Sequence, residues 1–171
     1  MWLYNHYSNL NDVRHTKMSK SLLIVANIPS PNTRRLRDEV ETGALSLNSS
    51  ELCISCLSPE QVDPKHIKAT DGLILGTTEN LGYMSGLVKD FFDRNYYPCL
   101  DHTQGLPFAL YIRAGHDGTG TLRAVETIVT GLRWKIVRDP LILRGEFRES
   151  FVNDCNELGT YMAACLDAGI V

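Results

Sequence analysis

At 171 residues the chain has the length of a single domain, and its 43% hydrophobic and 22% charged content suits one sizeable core. A formal net charge of −3 gives no reason to expect nucleic acid or an anionic membrane as a partner. No apolar run approaches the ~18 residues of a membrane span, and residues 1–17 lack the basic start and apolar centre of a secretion signal. The expected location is therefore cytoplasmic.

Residues 1–17 are rich in Asn, His and aromatics and show no period. They read as a flexible extension ahead of a domain at 18–171, or as an arm that packs on a partner subunit. Ser21–Asn27 is a continuous apolar run, as expected of a strand covered on both faces. A short loop leads into a helix over Asn32–Leu47. Glu51–Leu57 is a second strand, with a short helix near Gln61–Ala69. Gly72–Gly76 forms a third strand, followed by a small polar loop, Thr77–Tyr83. The spacing of Met84, Leu87, Val88, Phe91 and Phe92 predicts a helix over Met84–Arg94, and Asn95–Gly105 reads as a connection.

Leu106–Arg113 is a fourth strand, leading into a glycine-rich loop at Ala114–Gly120 and a helix over Thr121–Leu132. A fifth strand in Lys135–Leu143 is interrupted by Pro140, which places it at an edge or gives it a bulge. The last helix, about Arg148–Ala168, ends at Gly169, which is placed to cap it. Alternating strands and helices imply an α/β fold: a doubly wound, five-stranded parallel sheet with helices on both faces. In the order 2-1-3-4-5 the loops after strands one, three and four converge at the switch point, where a planar ligand sits. The Thr77–Tyr83 loop offers amides, hydroxyls, a carboxamide and an aromatic ring, but no nucleophile with a base. That chemistry holds a cofactor, and no residue is put forward as catalytic or as a metal ligand.

Other motifs carry less. Cys53-Ile54-Ser55-Cys56 lies in a strand, where residues three apart face opposite sides, so its sulfurs diverge. Gly82–Gly86 does not meet the G-x-S-x-G pattern of a nucleophile elbow, and Ser85 reads as a helix-start residue. His116-Asp117 is either a proton relay or an exposed loop pair. Ser30, Asn32 and Thr33 at a helix start offer donors to an anion, although an ordinary N-cap explains them as simply.

Together, Ser30-Pro31-Asn32-Thr33, Gly76–Gly86 and Arg113–Gly118 resemble the flavodoxin-like superfamily, in particular its NADPH-dependent FMN reductase and NAD(P)H:quinone oxidoreductase branch. The resemblance runs from Ser21 to about Leu166. It implies an FMN phosphate loop at Ser30, Asn32 and Thr33. Thr77, Thr78, Glu79, Asn80, Leu81, Gly82 and Tyr83 would border the isoalloxazine ring, with Arg113, Ala114, Gly115, Asp117 and Gly118 on its other edge. Pro29 and Pro31 depart from the usual loop, and each removes an amide donor.

Members of that superfamily either carry single electrons or transfer hydride from a nicotinamide. The mild charge and the absence of Phe, Tyr or Trp from Arg113–Gly120, which leaves one ring face open, favour the enzyme. The expectation is an FMN-binding oxidoreductase that takes hydride from NAD(P)H to a quinone, flavin or similar small acceptor. Within it, Arg113 or the amides near Gly115 would stabilise charge on the reduced ring. The resemblance also implies a homodimer or homotetramer. The alternatives are a flavodoxin-type one-electron carrier and a flavodoxin-fold protein with weak or lost FMN binding.

Overall fold

The computed structural model describes residues 19–171, so the 1–17 extension lies outside the described residues. Its elements are β1 (Lys20–Ala26), α1 (Pro31–Leu45), β2 (Leu52–Leu57), a 3-10 turn at Pro59–Gln61, α2 (Pro64–Lys68) and β3 (Gly72–Asn80). The chain continues through β4 (Tyr83–Met84), α3 (Gly86–Cys99), β5 (Pro107–Ala114), α4 (Thr119–Gly131), β6 (Lys135–Ile136), β7 (Leu141–Arg144) and α5 (Glu149–Asp167).

The sheet has seven strands, ordered β2-β1-β3-β5-β6, with β4 paired to β3 and β7 paired to β5. It differs from the five strands expected in two places. Pro140 has no N–H, and the fifth strand breaks ahead of it into β6 and β7, both parallel to β5. The expected loop after the third strand is instead largely strand: β3 runs on to Asn80 and turns back antiparallel as β4.

Alternation along the strands sorts the core into two layers. Leu22, Ile24, Ile74, Ala109 and Tyr111 face α1 and α5, where Leu36, Val40, Leu158 and Met162 complete a buried cluster. Leu23, Val25, Leu73, Leu75, Phe108 and Leu110 face α3 and α4, against Val88, Phe91, Phe92, Val125 and Val129. Burial on both faces is why β1, β3 and β5 read as unbroken apolar runs. Each such side chain contributes roughly 1.5–3 kcal/mol.

One helix extends further than its sequence suggests. α3 continues through Asn95 and Pro98 to Cys99, where a connection was expected. Proline removes only one bond so close to a helix end, and the last turn is anchored from outside. Buried Asn95 donates Nδ2 to Val62 O at 3.4 Å, and Arg94 donates to Val62 O and Pro59 O. At the other end of the fold, Gly169 adopts a left-handed φ of 65° and Ile170 N donates to Cys165 O, closing α5 as its position predicted.

α1 and α5 cross with almost no side chain between them. A Cβ at Gly43 would lie 2.0 Å from Asn156 O, and one at Gly159 would lie 1.9 Å from Val40 O. Bidentate pairing of Arg35 with Glu149 joins the same helices near their amino ends.

Candidate functional site

The loops after β1, β3 and β5 meet at the carboxyl edge of the sheet. In the first, Ser30 is the N-cap of α1. Its Oγ accepts from Thr33 N at 3.2 Å, while Thr33 Oγ1 accepts from Ser30 N at 3.0 Å and donates to Ser30 O at 2.9 Å. The capping account is therefore correct for this pair, and Thr33 N–H is already engaged. Pro31 has no N–H to offer, and the Ser30 hydroxyl lies 3.1 Å from Thr33 Oγ1, whose own proton goes to Ser30 O, which leaves the Asn32 amide and carboxamide and the Arg34 guanidinium as donors. A hollow of about 410 Å³ opens beside them, lined by Ile28, Pro29, Ser30, Pro31, Arg34, Arg35 and the acidic Asp38.

The second loop is a hairpin. Leu81 and Gly82 take φ values of 54° and 77°, the left-handed pair of a type I′ turn. Asn80 then pairs with Tyr83 and Glu79 with Met84. Leu81 at the tip is fully exposed and Tyr83 is 42% exposed. Behind the turn, Ser85 caps α3 by accepting from Val88 N, and its own N–H donates to Thr77 Oγ1 at 3.3 Å. Ser85 is thus a helix-start residue, as read from its position.

Both flanks of the hairpin are tied to the neighbouring loops. On the β1 side, Asn27 Nδ2 donates to Thr78 Oγ1 at 3.1 Å, and Thr78 Oγ1 donates to Asn80 Oδ1 at 2.9 Å. Asn27 and Thr78 are each only 9% exposed. On the β5 side, the Glu79 carboxylate accepts from His116 N at 2.8 Å and from Gly118 N at 3.2 Å. Glu79 thereby supplies the anion at the amino end of α4, whose own cap, Gly118, has no side chain to do so. The turn also rests on α4, where a Cβ at Gly120 would lie 2.2 Å from Gly82 O.

In the third loop, Gly118 has φ 74° and its Cβ position would fall 2.6 Å from Ile142 Cγ2, so only glycine fits. Asp117 accepts from Thr119 N at 2.9 Å, and that bond holds its carboxyl below the usual carboxylate range. The imidazole of His116 is exposed and makes no hydrogen bond among the described residues.

Arg113 turns away from the other predicted site residues. Its guanidinium donates to the carbonyls of Ala114, Leu143 and Gly145 and lies 5.7 Å from the Phe151 ring centre, on the α1–α5 side. Through the carbonyls of Leu143 and Gly145 it clamps the β7–α5 loop. The residue missed by sequence reasoning is Asn27. The available signal was a carboxamide ending an otherwise apolar strand.

The two ends of the C-x-x-C lie in different surroundings, Cys53 exposed and Cys56 partly buried, and both are free thiols. Among the described residues no group of His, Cys, Asp and Glu is arranged to hold a metal, and no helix is long and apolar enough to cross a membrane.

An open, mostly parallel α/β sheet whose central strands send their loops to one carboxyl edge defines the class to which this molecule belongs. Among solved structures the chain is similar to a flavodoxin from the domain Archaea, with a TM-score of 0.72 at 17% identity, covering 86% of this chain and 99% of that one. It is also similar to an oxidoreductase from Corynebacterium diphtheriae (TM-score 0.67, 18% identity, 88% of this chain, 98% of that one). A third likeness is to a flavodoxin, WrbA-like protein from Agrobacterium tumefaciens (TM-score 0.66, 15% identity, 88% and 98%). The fold is flavodoxin-like, as the loop motifs implied. No family model and no curated protein matches the sequence.

Proposed function

We infer that this protein binds FMN at the carboxyl edge of its sheet and uses it as an NAD(P)H-dependent oxidoreductase on a quinone, free flavin or similar small acceptor. The observation that carries the reading is the preassembled rim: a hairpin fixed to the β1 loop through Asn27–Thr78 and to the β5 loop through Glu79.

The donor set fits the group, with a reduced complement at the phosphate end. Asn32 and the Arg34 guanidinium would hold the phosphate beside Ser30 at the α1 amino terminus. Tyr83, Asn80 and the backbone of Leu81–Gly82 and Gly115 would border the ring. Bound FMN supplies the redox chemistry; the chain binds, orients and leaves one face accessible. No Phe, Tyr or Trp stands on the Arg113–Gly120 side to close that face.

Exposed Leu81, Tyr83 and Leu87 near the rim support a homodimer or homotetramer with the site beside the interface. A one-electron carrier is the second reading, favoured by the near-full-length likeness to flavodoxins. Pro29 and Pro31 favour a third, in which FMN binding is weak.

Absorbance spectra of the purified protein, taken alone, with FMN and then with NADPH under anaerobic conditions, test all three. Uptake of FMN followed by bleaching with NADPH is the expected result. Uptake without bleaching transfers the assignment to the carrier. A protein that takes up no FMN overturns both flavin readings.

A further inference from the structure

The hydrogen bonds from β1 to the hairpin form a directed chain. Asn27 sits at the end of β1, where its backbone N–H also donates to Gly76 O at 3.0 Å. Its carboxamide is buried and donates to Thr78 Oγ1, and Thr78 in turn donates to Asn80 Oδ1. The Asn80 atom facing Thr78 is a carboxamide oxygen, which only accepts, so Thr78 gives its one proton to it. Asn80 thus presents its oxygen inward, and its exposed Nδ2 is left as the free end, with no partner among the described residues.

The geometry points to Asn27 as a positioning residue that acts through Thr78 to hold the Asn80 carboxamide with its N–H donors facing the ligand. The ligand chemistry so recognised is a hydrogen-bond acceptor, the carbonyl or imine edge of a planar group. The inference rests on the FMN reading and adds to it the residue that orients one ring-side donor.

A purely structural bond would not need this direction. Asn27 could satisfy Thr78 with either end of its carboxamide, and only one choice leaves a donor at the rim. Asn27→Asp tests the choice, because a carboxylate only accepts. Thr78 would then donate to it and accept from Asn80 Nδ2, which would leave the Asn80 oxygen facing the ligand.

The test is FMN titration of the apo protein by fluorescence, with apo melting temperatures recorded alongside. Asn80→Ala, at an exposed position, should weaken FMN binding about three- to tenfold, the size of one ordinary hydrogen bond. Thr78→Val and Asn27→Asp should weaken it to a similar degree, while Thr78→Ser, which keeps the hydroxyl, should bind within twofold of wild type. Combining Thr78→Val with Asn80→Ala should cost no more than Asn80→Ala alone, because the two act on one contact. Multiplying losses in the double variant, or wild-type binding by Asn27→Asp, would overturn the relay while leaving the FMN reading intact. A wild-type protein that takes up no FMN would instead overturn that reading, and this inference with it.

Discussion

Tyr111 lies flat across Gly76, so closely that a Cβ on Gly76 would stand 2.1 Å from Tyr111 Cζ and 2.2 Å from its hydroxyl oxygen. The two are register partners on β3 and β5, and the ring reaches over the glycine into the α1–α5 layer. Its hydroxyl is buried there with no hydrogen-bond partner among the described residues. Opposite outcomes follow for two small substitutions. Gly76→Ala forces the ring out of place and should destabilise by about 3 kcal/mol or more. Tyr111→Phe removes an unsatisfied buried group and should be neutral or stabilising by about 1 kcal/mol. Urea unfolding midpoints of the two variants check the pair.

Gly43 and Gly159 reverse the ordinary rule for glycine in a helix. Alanine there would normally add roughly 1 kcal/mol through helix propensity. At both positions the added carbon would fall within about 2 Å of a carbonyl oxygen on the facing helix. Either alanine should lower the melting temperature, whereas a control alanine at exposed Thr127 of α4 should leave it nearly unchanged.

Glu79 is expected to behave as a two-ended clasp. Glu79→Gln keeps one acceptor oxygen but sets an NH2 against a backbone N–H, so one of the two bonds is lost. A cost of about 1.5–3 kcal/mol is expected for a bond to a charged group. Amide hydrogen exchange should accelerate at His116 and Gly118 and stay unchanged in β1. Unaltered protection at those two amides would rule out the clasp.

Alkaline stability should be governed by buried acids. Burial, with Asp154 and Glu39 adding, pushes the Cys155 thiol from 9.0 up to about 12, and burial likewise raises the Tyr111 phenol well above its ordinary value. The folded protein keeps these protons through an interval in which the unfolded chain loses them. The thiol's contribution is complete below pH 9 and is lost as pH rises towards about 12, on the order of 4 kcal/mol. Melting temperatures from pH 8 upward should fall steeply in wild type and less steeply in Cys155→Ala, measured against that variant's own value at pH 8.

Periodicity carried the order of elements because the central strands are buried on both faces and the helices on one. It also placed the site loops at one edge. Other features depended on contacts distant in the chain. Thr77–Asn80 reads as a polar loop in isolation, and Leu81-Gly82 lacks the Asn-Gly or Asp-Gly signal that announces a tight hairpin. The strand extends there because Asn27 and the β5 loop receive its side chains. Pro98 looked like a break because the anchors of the last turn, on Val62 and Pro59, lie more than thirty residues away. Arg113 stands at a strand end in either account, and only the tertiary fold shows that its guanidinium faces the β7–α5 carbonyls.

The crossing of α1 and α5 has a mechanical consequence for the helical layer they form. Packed helices slide past one another by repacking the side chains between them. Here two glycines bring backbone against backbone near the carboxyl end of α1, so that form of compliance is absent there. The two helices therefore answer a load as one rigid pair.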